Sequence, residues 1–197
     1  MKNLDQSHRT VLTNYETYQR VLRCHEEIEA YLWDVVRELK GEFDARSDSS
    51  LKWTLNEDEW WIQADAFPTW DTTKYYLMGI GVEHISIEKI IPPDISDGCY
   101  AYVYVHPLAN QKVASEFPWL KSRFRAVEPP KGFGFGTQEG YVFKKPLGSL
   151  SVESFCSRTE LKSYLQNPLN DLVEWFERAA PAISTFKKQG RKSSSAK

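Results

Sequence analysis

Apolar residues recur at alternating steps of four and three from Val11 through Tyr15, Tyr18, Leu22 and His25. The same rhythm resumes at Leu32 and runs through Val36, Leu39 and Phe43. Only Glu29 interrupts the seam, and Ile28 sits beside it. Such spacing lines one face of an α-helix and fits no strand. Thr13-Asn14-Tyr15-Glu16 has the form of a capping box, which predicts a helix beginning at 13. Gly41 and the polar run from Asp44 to Ser50 predict its end near 43. About 28 residues make a rod of roughly 42 Å, longer than a small domain is wide. Its first turns are therefore expected to project beyond the core. Tyr15, Tyr18, Leu22 and Leu32 become the candidates for a protein interface.

The middle of the chain has the period of strands. Leu51 to Leu55 alternates, Asn56-Glu57-Asp58 supplies a turn, and Glu59 to Phe67 is rich in β-forming residues, which together predict a hairpin. Tyr75 to Ile87 continues the pattern, with Gly79 and Gly81 marking a bulge or a close backbone approach. Pro92 to Gly98 reads as a loop. Cys99 to His106 is the clearest strand. Ala101, Val103 and Val105 alternate with Tyr100, Tyr102 and Tyr104, so both of its faces are expected to be covered. Residues 109–124 suggest a helix interrupted at Pro118 or an irregular excursion. Pro129 to Gly136 reads as a glycine-rich loop, and Tyr141 to Lys145 as a last strand.

From Ser151 the chain turns helical again. Asn167-Pro168 has the form of a cap followed by a first turn. Leu169, Leu172, Val173, Phe176, Ala179, Ala180 and Ile183 form an apolar stripe, which Pro181 is expected to kink or end. Helices at the ends and strands in a run predict an α+β fold. It is a mainly antiparallel sheet of four to five strands, with the long N-terminal helix and the C-terminal helices packed on it. Residues 1–186 are expected to form one such domain, with the N-terminal helix over about 13–43, the sheet over about 51–146 and the C-terminal helices over about 151–186. Residues 187–197 carry five basic and no acidic side chains, and are expected to be a disordered basic tail.

Composition narrows the class of protein. An apolar share of 41% with 26% charged residues supports a packed core and argues against wholesale disorder. Aromatic residues reach 14%, which suits both a packed sheet and a binding surface. Cys24, Cys99 and Cys156 form no CxxC pair, so neither a disulfide framework nor a structural zinc site is expected. No apolar run is long enough to span a bilayer and no signal peptide is evident. The expected location is the cytoplasm. The net charge of -2 conceals an uneven distribution. Residues 1–110 carry 10 basic and 19 acidic side chains, whereas residues 111–197 carry 15 and 8.

Catalytic patterns are missing. His8, His25, His84 and His106 have no partners at metal-ligand spacing, and no metal or other cofactor is expected. Asp65 and Glu83 fall on adjacent strands, as in nucleases that hold Mg²⁺ between carboxylates and a lysine. The nearest lysine, Lys89, directly follows Glu88, a spacing that sends the two side chains apart. No nucleophile elbow is present. Cys24 and His25 are neighbours on a helix and do not face each other. Gly132, Gly134 and Gly136 lack the residues that complete a phosphate-binding loop.

Lys131-Gly132-Phe133-Gly134-Phe135 resembles the start of the RNP1 segment of RNA-recognition motif and cold-shock domains. Val103-Tyr104-Val105-His106-Pro107-Leu108 resembles the companion RNP2 segment. The resemblance covers about 40 residues and departs from the family at Pro107, Gly136 and Gln138. It implies that Tyr104, Phe133 and Phe135 stack on bases while Lys131 contacts phosphate. The basic tail would add salt-sensitive affinity.

The leading expectation is a non-catalytic intracellular binding or regulatory protein acting through protein–protein contacts, by self-association or with another chain. An accessory subunit, an immunity factor or a regulatory factor would fit. A nucleic-acid-binding module using residues 100–145 is the alternative, and a metal-dependent nuclease-like enzyme the second alternative.

Overall fold

The computed structural model describes residues 6–46, 51–66, 76–91, 98–107, 124, 126–136 and 140–184. Two helical segments open the chain, α1 (Gln6–Thr13) and α2 (Tyr15–Asp44). Strands β1 (Lys52–Asn56), β2 (Trp61–Ala66) and β3 (Tyr76–Glu83) follow, then the single turn of α3 (Ile87–Ile90). Next come β4 (Tyr100–Pro107), the two-residue β5 (Gly134–Phe135) and β6 (Tyr141–Pro146). Helices α4 (Val152–Cys156) and α5 (Arg158–Ser184) complete the order. The expected α+β arrangement is present. The six strands form one antiparallel sheet in the order β1-β2-β3-β4-β6-β5. The strand beyond the expected four or five is β5, cut from the glycine-rich stretch. No helix among the described residues is long and apolar enough to cross a membrane.

The long helix α2 starts at Tyr15, within two residues of the expected start, and a separate short helix, α1, precedes it. Thr13 does not cap: its hydroxyl donates to the Arg9 carbonyl at 2.9 Å. Asn14 is the one irregular residue. Its N–H still donates to the Thr10 and Val11 carbonyls, and its own carbonyl accepts from the Tyr18 N–H. With φ -111° and ψ 31° Asn14 interrupts the ladder, and α2 starts anew behind it. The second half of α2 buries Leu32, Val36, Leu39 and Phe43, the four positions that the seam predicts. They pack with β1 and with α5, and Phe43 meets Trp53 at a ring separation of 4.7 Å. At the surface, Glu38 binds Arg158 and Lys162 of α5, and Glu42 binds Lys162. These partners hold the Glu38 carboxyl below its ordinary range, chiefly through the hydrogen bonds from Lys162 and Arg158.

The C-terminal helix starts earlier than Asn167-Pro168 suggests, and Pro168 lies inside it. Ser157 precedes the first turn: its carbonyl accepts from Leu161 N–H and its hydroxyl from Glu160 N–H. Leu161, Leu165, Leu169, Leu172, Trp175 and Ala179 are buried. The stripe is thus longer than expected, and Trp175 rather than Phe176 goes deepest. The helix continues to Ser184, so Pro181 neither ends nor shortens it at that point.

The core lies between the helices and one face of the sheet. Ile62 and Ala64 on β2, Met78, Ile80 and Val82 on β3, and Ala101, Val103 and Val105 on β4 are all buried there. Of the three free thiols only Cys99 is buried. Cys24 and Cys156 are exposed, so they do not act as core hydrophobes. The basic-tail residues 187–197 and the stretch 108–123 lie outside the described residues.

Candidate functional site

Strand alternation sends a second set of residues to the opposite face of the sheet. On β4 these are Tyr100, Tyr102 and Tyr104; on β3 they are Gly79, Gly81 and Glu83. Gln63 and Asp65 join them from β2. Tyr141 arrives by an irregularity. Val103 pairs with Phe143 but Tyr104 pairs with Tyr141, so Val142 is the extra residue of a bulge. Without it, Tyr141 would fall on the helix side.

Hydrogen bonds organise this face around one carboxylate. Glu83 Oε2 accepts from the Tyr100 hydroxyl at 2.9 Å and from the Tyr141 hydroxyl at 2.7 Å. The Tyr102 hydroxyl donates to Gln63 Oε1 at 2.6 Å, and Gln63 Nε2 donates to Asp65. Tyr141 packs on Tyr100, Tyr102 and Tyr104 with ring separations of 6.0, 5.6 and 5.3 Å. Lys144 Nζ sits 3.3 Å from the centroid of the Tyr100 ring, close enough for cation–π attraction. Gly81 is what lets Tyr102 and Gln63 approach. A Cβ there would stand 2.3 Å from the Ile62 carbonyl oxygen and 3.1 Å from the Tyr102 hydroxyl.

At the Glu83 end two non-glycine residues adopt left-handed backbone, Trp60 with φ 59° and His84 with φ 63°. Such conformations cost about 1–3 kcal/mol each and persist where the surroundings dictate them. Here the Ile85 N–H donates to the Trp60 carbonyl at 2.9 Å and ties the two turns together. The His84 ring stands edge-on to Tyr100 at 4.9 Å. Its Nδ1 is buried and lacks a hydrogen-bond partner among the described residues.

Burial sets the protonation of the face. It raises the Tyr141 phenol to about 12 and those of Tyr100 and Tyr102 further, with the Glu83 charge reinforcing each shift. Burial likewise raises the Asp65 carboxyl. A phenol with a raised folded pKa stabilises the fold fully below its unfolded value near 10, and that stability is lost as pH rises through the folded value. An absorbance titration at 295 nm should therefore show Tyr141 ionising near 12, with Tyr100 and Tyr102 ionising only as the fold opens. Complete ionisation of all ten tyrosines below pH 11 with the fold intact would contradict this arrangement.

Asp65 and Glu83 share the face but do not converge. Asp65 stands opposite Gly79, four residues along β3 from Glu83, which separates them by about 13 Å of strand. Among the described residues no group of three His, Cys, Asp or Glu side chains could hold a metal ion.

The nucleic-acid candidates also fail to form one platform. Strand β6 separates β4 from β5. Tyr104 belongs to the tyrosine face, whereas Phe135 packs on Phe143, whose other neighbour is Trp175 on the helix side. Phe133 is 6% exposed, beneath the Lys145 ammonium. Phe135 and Lys131 are exposed.

The protein-interface candidates divide sharply. Leu32 is 1% exposed and belongs to the core, so it is not available to a partner. Tyr15 is 54% exposed, Tyr18 40% and Leu22 37%. Val11, Leu12, Val21 and Ile28 are exposed with them. The sequence reading passed over Leu12 and Val21, which flank the seam and widen it. Comparison with protein-family models, with curated proteins and with solved structures returns no match.

Proposed function

We propose that this chain is a non-catalytic binding protein acting through protein–protein contacts, and that the exposed part of the α1–α2 seam is its docking face. One observation carries the reading. The heptad-spaced stripe that is buried from Leu32 to Phe43 resumes, beyond Glu29 and His25, on the exposed turns of α2 at Leu22, Tyr18 and Tyr15. Seven large apolar residues crowd this stretch of rod. Contiguous exposed apolar surface of that kind marks an interaction site, whereas scattered apolar residues would not. Tyrosine at its centre suits a contact, because the ring gives large area at low entropic cost. The tyrosine face of the sheet supports the same choice by a different route. The hydroxyls of Tyr100, Tyr141 and Tyr102 are committed to Glu83 and Gln63, which is the state of groups that specify a fold.

Changing Tyr15 and Leu22 together to glutamate tests the reading. Both side chains lie at the surface outside the core, so unfolding free energy should move by no more than about 0.5 kcal/mol per site. The tagged wild-type chain should elute in a complex during size-exclusion chromatography of cell lysate, and the double variant should elute alone. A wild-type chain that is monomeric both alone and in lysate would overturn the proposal.

A further inference from the structure

We draw no further inference here: the strongest candidate, the exposed apolar surface patch of α2 around Tyr15, Tyr18 and Leu22, is the docking face already proposed, and nothing in the structure shows what covers it.

Discussion

Replacing Trp175 by alanine is expected to lower the unfolding free energy by about 3–5 kcal/mol, the range for emptying a large aromatic site in a core. Trp175 is 1% exposed and fills the layer between α5 and the sheet. Its ring meets Phe143 edge-on at 5.5 Å, and its indole N–H donates to the Glu128 carbonyl at 2.7 Å. Alanine removes both the volume and the donor, and the Glu128 carbonyl is left to find water. Phenylalanine separates the two losses. It keeps most of the apolar volume and forfeits the hydrogen bond, which should cost about 1–2 kcal/mol. Urea denaturation followed by circular dichroism measures both. Equal stability of the alanine variant and the wild-type chain would mean that α5 does not pack on β6 through this residue.

That residue also shows where sequence reasoning stops. Periodicity locates the stripe of α5 but does not choose between Trp175 and Phe176, which are adjacent and similarly apolar. The choice depends on Phe143 across the interface, a non-local contact. The helix start is legible in Ser157-Arg158-Thr159-Glu160, which has capping-box form, although Asn167-Pro168 has the more familiar look. Thr13-Asn14-Tyr15-Glu16 marks the start of α2 to within two residues, but Thr13 does not cap it, because a threonine hydroxyl inside a helix can bond back to the preceding turn. The exposed seam was readable as spacing. Where exposure gives way to burial was not, and Leu32 fell on the wrong side. The tyrosine face was half legible. Alternation in β4 put three tyrosines together, but Glu83 reaches them only through the β3–β4 register. Tyr141 reaches them only through a bulge that leaves no mark in the sequence.

Glu83 is where that hidden register should be most costly to disturb. Glu83→Leu withdraws the acceptor from the Tyr100 and Tyr141 hydroxyls together. An orphaned buried hydroxyl costs about 1–3 kcal/mol. The expected loss is about 2–4 kcal/mol near pH 8, reduced because Tyr141 keeps some access to solvent. Glu83→Gln retains one carbonyl oxygen as acceptor and gives up the charge, so about 1–2 kcal/mol should suffice there. The two variants should also differ from the wild-type chain in how stability falls at high pH. In the wild-type chain the Glu83 charge adds to burial in raising the Tyr141 phenol to about 12. Stability held below pH 10 is therefore lost across the interval up to that value. Removing the charge withdraws one of the causes, leaves burial as the largest and narrows the interval, so the alkaline loss becomes shallower. The gap between wild-type chain and Glu83→Gln should accordingly shrink as pH rises from 8 to 11. A gap that widened over that range would mean that Glu83 does not face the phenols as an anion, and the hydrogen-bonded face would need another centre.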